Sequence, residues 1–361
     1  MKRYKDKRTI AGNSGLAIVV TLMVITLLIT VVVELNHRVR AGGHSAMVFR
    51  DRIKLSQMAA SGINIGQAVL IQDKHDTEID SLQEDWAHPE TLQEKMAAFP
   101  FETGRVKLQI NDLCGRIQVN ALVNFPEGIN FNETQKKLWY RFLQLLDGNE
   151  AIEYDIEPLV IINSVKDWLD SGDDEAVSGL EGAESDYYQG LDPPYRCRNG
   201  PVVDVTELAL VKGVSREIFA VPERDDDIGT FITAFGRSPA ERKNGFCFEG
   251  TININTAPEA VISALLPLEY AYLGAEIVGY REEQSDNNYV HDLSGKKWYK
   301  NVPGCGELTI ENDLITLSSD FFEIQATAVL HGSRLTRTVV VHREKDAETG
   351  KWYCRVLKCQ G

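Results

Sequence analysis

Gly15-Leu16-Ala17-Ile18-Val19-Val20-Thr21-Leu22-Met23-Val24-Ile25-Thr26-Leu27-Leu28-Ile29-Thr30-Val31-Val32-Val33 sets the reading of the whole chain. No charge occurs from Thr9 to Val33, and after Leu16 three threonines are the main breaks in an aliphatic run. At about 1.5 Å per residue, Leu16 to Val33 covers about 27 Å, close to the hydrocarbon core of a bilayer. Lys2, Arg3, Lys5, Lys7 and Arg8 precede it, so the N-terminus is expected to stay cytoplasmic and the bulk of the chain to cross outward. A secretory signal is cut at small residues on the C-terminal side of its apolar core. Here the small cluster Ala11-Gly12-Asn13-Ser14-Gly15 comes before the core, so the apolar helix is expected to remain as an anchor.

Composition bounds the rest of the chain. Its 361 residues are enough for two globular lobes, and 43% hydrophobic content is enough for packed cores. Lys+Arg 38 against Asp+Glu 53 gives −15; the first fifteen residues contribute +4, so the remainder carries −19. Such acidity argues against nucleic acid and anionic membranes as partners and suits cation binding. Seven scattered histidines form no H-E-x-x-H, and neither a G-x-S-x-G nor a P-loop occurs, so no enzyme activity is expected. Cys114, Cys197, Cys247, Cys305, Cys354 and Cys359 include no C-x-x-C, which argues against zinc. Export makes disulfides possible, Cys354 and Cys359 being near enough for a local bridge, while free buried thiols fit equally well.

Helical spacing continues past the anchor through Val39, Met47, Ile53, Met58 and Ile63, predicting one helix from Leu16 to about Leu70, loosened at Gly42-Gly43. Residues 72–100 read as a loop with a short helix. Alternation over Arg105–Ile110 and Gly115–Asn120 predicts a hairpin turning at Asn111–Cys114. A second hairpin is expected from Phe321–Leu330 and Ser333–His342 around His331-Gly332, with a further strand at Trp352–Leu357. Two strand-forming blocks so far apart imply one sheet closing across an insertion. Within residues 121–315, helices are expected at Thr134–Leu143, Ile156–Leu169, Thr206–Phe219 and Ala257–Leu266. The fold class is therefore α+β: a long N-terminal helix packed on an antiparallel sheet, with a large helix-rich domain inserted between the strands. The expected divisions are 1–15 leader, 16–70 helix with a transmembrane half at 16–33, 71–120 with 316–361 as the sheet domain, and 121–315 as the insertion.

Two phrases in the insertion carry chemistry. In Asp167-Trp168-Leu169-Asp170-Ser171-Gly172-Asp173-Asp174, the carboxylates of Asp167 and Asp170 share a helix face. Asp173 and Asp174 come after a glycine, and Gly182-Ala183-Glu184-Ser185-Asp186-Tyr187-Tyr188 lies close enough to fold back. Crowded carboxylates repel unless a cation is present, and Ca²⁺ accepts 6–8 oxygens, although the EF-hand spacing is absent. An acidic, solvated loop capping a helix accounts for the same residues, with Trp168 and Tyr187 as packing groups. The second phrase, Thr251-Ile252-Asn253-Ile254-Asn255-Thr256-Ala257-Pro258, reads as structural, with Thr256 placed to cap the next helix.

Together with the leader, these phrases resemble the minor pseudopilin K family of type II secretion, whose members share a D-W-x-D…G-A-E-x-x-Y-Y segment and an I-N-x-N-T-A-P segment. The resemblance implies cleavage between Gly15 and Leu16 by a prepilin peptidase. Most pilins carry a glutamate at the fifth mature position; Val20 stands there, which is typical of subunit K and suits a subunit with no earlier neighbour in the filament. The resemblance further implies structural Ca²⁺ in the helical domain. Its ligands are expected among Asp167, Asp170, Asp173, Asp174, Glu184 and Asp186, with Asp170, Asp173 and Glu184 foremost. The implied place is the inner membrane, single-pass, with the C-terminal bulk in the periplasm. The implied role is to cap the pseudopilus tip, initiate assembly with minor pseudopilins I and J and other pseudopilins, and support export of secreted proteins. Two rival readings remain: a minor pilin of a type IV pilus, and a membrane-anchored helix-hairpin-helix DNA-uptake protein suggested by Thr251–Pro258 together with Glu207–Val214, whose acidic surroundings fit phosphate binding poorly.

In cells containing a prepilin peptidase, N-terminal sequencing of the membrane-extracted protein is expected to begin at Leu16. An untrimmed start contradicts the leader reading.

Overall fold

The computed structural model describes residues 14–125, 127–147, 157–172, 177–214, 228–236 and 248–361. Its first element is a single helix, α1 (Ser14–Asp76), which runs through Gly42-Gly43 without a break. The chain divides into two compact units, Met1–Gln57 and Met58–Gly361. In the first unit the helix is wholly exposed along its apolar run, long and apolar enough to cross a membrane, and fits a single-pass anchor. The second unit holds everything else, including the last turns of α1.

In that unit α1 leads to α2 (Pro89–Ala97) and strand β1 (Arg105–Asp112). After the insertion come β2 (Phe321–Leu330), β3 (Ser333–Lys345) and β4 (Trp352–Gln360). The four strands form one antiparallel sheet in the order β1-β2-β3-β4, with Arg105 opposite Val329, Asp112 opposite Phe322 and Phe321 opposite His342. The sheet thus closes across the insertion. The β2–β3 turn uses His331 and Gly332 at φ 49° and 82°, the left-handed pair that a two-residue hairpin demands.

The period of two places Val106, Leu108 and Ile110 of β1 and Phe322, Ile324, Ala326, Ala328 and Leu330 of β2 on one buried face. The end of α1 lies on that face because Gly62 and Gly66 open its surface. A Cβ on Gly62 would come within 2.9 Å of Val106 Cγ1, and one on Gly66 within 2.8 Å of Ile324 Cγ2. Trp86 seals the layer edge-on against Phe322, ring centroids 5.4 Å apart.

The expected hairpin of 105–110 with 115–120 does not form. β1 pairs with β2, and Ile117–Gln118 instead pairs in parallel with Ile232–Thr233. The cause is local. Cys114 N–H donates to Asp112 Oδ1 at 2.7 Å, an Asx-type turn that sends the chain out of the sheet into the insertion. Gly115 then packs against Thr256, where a Cβ would approach Oγ1 to 2.7 Å.

The insertion is built on α3 (Glu133–Asp147), α4 (Pro158–Leu169), α5 (Ser185–Gln189), α6 (Glu259–Leu265) and α7 (Leu273–Glu282). Leu138, Trp139, Phe142 and Leu143 form the apolar face of α3, which packs on α4 and α6. Trp298 and Tyr299 close the same core. Burial of each such side chain contributes about 1.5–3 kcal/mol, so this domain has a core of its own. The helix expected at Thr206–Phe219 is, where described, a short 3₁₀ segment, Val205–Leu210, whose Asp204 and Glu207 form a capping box; residues 215–220 lie outside the described residues. The cysteines described are free, Cys354 and Cys359 included; Cys247 lies outside the described residues.

A buried polar clasp joins insertion, sheet and helix. Arg343 of β3 is fully buried; it donates to Leu70 O at 2.9 Å, Asp73 Oδ2 at 3.1 Å and Ser319 O at 2.8 Å, and pairs with Asp80 Oδ1. Asn253 reaches in from the insertion, donating to Asp80 O at 2.9 Å and Ser319 Oγ at 2.8 Å. Thr256 does not cap α6, whose N-cap is Pro258. Its hydroxyl donates to Asp112 Oδ2 at 2.5 Å, as does Ser319 at 2.6 Å. Asn255 accepts from Trp298 Nε1 at 2.8 Å. The I-N-x-N-T-A-P phrase is the insertion's half of this joint.

Burial pushes the Asp112 carboxyl up from 3.8 to about 6, against the pull of the Ser319 and Thr256 hydroxyls. Between pH 4 and 6 the unfolded chain has released a proton that the folded chain keeps, so stability falls as pH rises through that window and levels off above it. Relative to an Asp112→Asn variant, the full-length chain in detergent should lose about 2 kcal/mol from pH 4 to 6 in denaturant unfolding. A pH-independent difference contradicts this.

Candidate metal centre

Helix α4 begins at Pro158, a residue suited to a first helical position, and buries Ile161, Ile162, Val165, Trp168 and Leu169 at helical spacing. That stripe fixes where the carboxylates fall. Asp167 lies inside the last turn, fully buried, and Asp170 stands at the C-cap in extended conformation, 5% exposed. The chain returns at Glu184, the N-cap of α5, which is 6% exposed. One ligand oxygen each from Asp167, Asp170 and Glu184 lie within 4.8 Å of one another.

The fold-back is held by Asp167 itself. Its Oδ1 accepts from Ser178 N–H at 3.1 Å and its Oδ2 from Ala183 N–H at 2.9 Å. Gly182 is obligatory beside it, since a Cβ there would overlap Asp167 Oδ2. Lys212 Nζ closes the loop from outside by donating to Glu181 O at 3.0 Å. Beneath the acids Trp168 meets Tyr188 edge-on, centroids 5.0 Å apart, and Cys197 Sγ donates to Asp167 O. Burial pushes the Cys197 thiol up to about 12, so it is an inert core group.

Of the residues expected to bind a cation, the structure brings together Asp167, Asp170 and Glu184. Asp186 lies exposed in the first turn of α5, outside that group. Asp173 and Asp174 lie outside the described residues. Tyr188, rather than Tyr187, is the buried tyrosine; Tyr187 is 41% exposed beneath Lys212. Lys166 is a close neighbour of these acids that the acidic phrase alone does not reveal. Its Nζ is 2.5 Å from Asp170 Oδ2 and 3.9 Å from Asp167 Oδ1, and the signal in the sequence is the i,i+4 spacing of Lys166 and Asp170.

The donor set fits a hard divalent cation. All three groups supply carboxylate oxygens and converge in a buried place, and Asp170 Oδ1 is buried with no close hydrogen-bond donor among the described residues. Burial raises the Asp170 carboxyl above its ordinary value; Lys166 pulls it back, and the Asp167 charge adds to the rise. A second acidic group, Asp73, Asp80 and Glu84, is a different case, because the Arg343 guanidinium already pairs with Asp73 and Asp80.

Residues 115–223 match a family model described as Type II secretion system (T2SS), protein K. The matched stretch begins at the turn that leaves β1 and spans both halves of the acidic centre. Along a longer stretch the chain is 27% identical to Type II secretion system protein K of Aeromonas hydrophila, over 58% of this chain and 61% of that protein. It is 25% identical to the protein of that name from Pseudomonas aeruginosa, over 72% of this chain and 69% of that one. The fold is similar to a chain in the crystal structure of the GspK-GspI-GspJ complex from the enterotoxigenic Escherichia coli Type 2 Secretion System. The TM-score is 0.59 at 17% identity, covering 87% of this chain and 98% of that one. At that identity the likeness is one of fold: long helix, sheet and helical domain.

Asp167→Ala leaves the Ser178 and Ala183 N–H groups without acceptors and is expected to cost about 2 kcal/mol or more in chelator, whereas Asp186→Ala should stay within about 0.5 kcal/mol. Denaturant unfolding of the two variants checks the ordering; equal losses contradict it.

Proposed function

We propose that this protein is a minor pseudopilin that caps the tip of a periplasmic pseudopilus in type II secretion. The observation that carries the reading is the insertion itself. A domain with its own core interrupts a pilin-type sheet between β1 and β2, behind an apolar helix that has Val20 where a carboxylate would meet an earlier subunit. A subunit of this bulk is sterically awkward inside a shaft and is accommodated at an end. The unpartnered apolar run of α1 supports inner-membrane anchoring before assembly, with the bulk of the chain in the periplasm.

By the same reading, partners are I- and J-type minor pseudopilins, as in the solved complex that shares the fold, and assembly starts from the three together. Other pseudopilins would add below, a prepilin peptidase would trim the leader, and secreted proteins would be the cargo. The role is mechanical and needs no catalysis. Ca²⁺ held by Asp167, Asp170 and Glu184 would supply the positive charge that three buried carboxylates need, fixing α5 against the end of α4.

Coexpression of the chain with I- and J-type minor pseudopilins in detergent is expected to yield one complex, with calcium detected by elemental analysis. Failure to copurify with them, alongside association with subunits of a type IV pilus, contradicts the assignment.

A further inference from the structure

The acidic centre contains a cation of its own. Lys166 occupies the last turn of α4, where an ammonium also complements the helix C-terminus. Its side chain is only 13% exposed, and Nζ sits 2.5 Å from Asp170 Oδ2 and 3.9 Å from Asp167 Oδ1. Among the described residues, one unit of positive charge therefore faces Asp167 and Asp170, with Glu184 beside them. Asp170 is divided by this arrangement: Oδ2 holds the ammonium, while the buried Oδ1 meets no close hydrogen-bond donor among the described residues.

A divalent ion bonded to Asp170 would lie within a few ångströms of Nζ. At that separation two like charges repel strongly even at an effective dielectric constant of about 20, so the two cations exclude one another. The lysine can give way. It has a flexible four-carbon stem, and its edge of exposure gives the head group a route to solvent.

We propose that Lys166 is a resident counter-ion, holding the carboxylates together in metal-free protein and leaving when a divalent cation enters. This rests on the calcium reading of the centre and adds to it that binding is an exchange of one cation for another. Calcium affinity is then lower than three carboxylates alone would give. The metal-free domain also keeps its fold, because the acids are never left unanswered. The lysine thereby lets the chain fold before it meets the ion.

The test uses the full-length chain in detergent, stripped with chelator and dialysed, as wild type, Lys166→Met and Lys166→Arg. Methionine preserves the stem and the helix propensity and removes the charge. Calcium chloride titrations by calorimetry are expected to give at least tenfold tighter binding for Lys166→Met and no comparable gain for Lys166→Arg. In chelator, Lys166→Met should melt several degrees below wild type, and calcium should restore it to the wild-type value or higher. Should Lys166→Met not fold in either condition, Lys166→Gln, which also lacks the charge, must give the same ordering. Equal or weaker calcium binding by the neutral variants overturns the exchange while leaving the calcium site standing. Binding by the neutral variants alone supports the exchange and overturns calcium in the native chain. No binding by any form overturns both.

Discussion

Arg343 is the joint on which the second unit depends. Its guanidinium is sunk beneath the end of α1, paired with Asp73 and Asp80 and donating to the carbonyls of Leu70 and Ser319. Breaking such a pair from one side typically costs about 3–5 kcal/mol, because the remaining charges are stranded away from water. This placement of helix, sheet and insertion satisfies Arg343, Asp80, Asp112, Ser319 and Asn253 together. The close approach of Gly62 and Gly66 to β1 and β2 fixes the same placement from the apolar side.

The acidic centre obeys a similar logic at lower stakes. Asp167 spends its oxygens on backbone N–H groups and shapes the loop, while Asp170 and Glu184 keep carboxylate surface turned inward. Two buried acidic groups thus sit in one chain with different answers to their charge. The clasp answers with arginine, in a fixed fork that leaves little to exchange. The centre answers with lysine, a single point charge on a mobile stem. On the proposed reading, the first is permanent structure and the second is a place where a cation can be taken up.

Much of this is legible in the sequence, and the misses have physical causes. The anchor helix, the hairpin at His331-Gly332 and the closing of the sheet across the insertion emerge from apolar runs, alternation and turn chemistry. Alternation over Arg105–Ile110 assigns faces but not partners, so the nearest alternating stretch stands out as a mate for β1 when the true one is Phe322–Val329. Asp112 has the look of a turn residue between strands, although its carboxylate belongs to the clasp. Thr256 has the chemistry of a cap and spends its hydroxyl on Asp112. Tyr187 and Tyr188 differ only in which side of a one-turn helix they face, and a helix so short has no period to read. Lys166 is hidden because an acidic phrase draws attention to its acids.

The central claim is that a domain inserted in a pilin-type sheet crowns the end of a fibre. Electron microscopy of isolated pseudopili, labelled with an antibody against the inserted helices, tests it most directly. The account predicts label at one end of each fibre and none along its length. Label distributed along the shaft would contradict it.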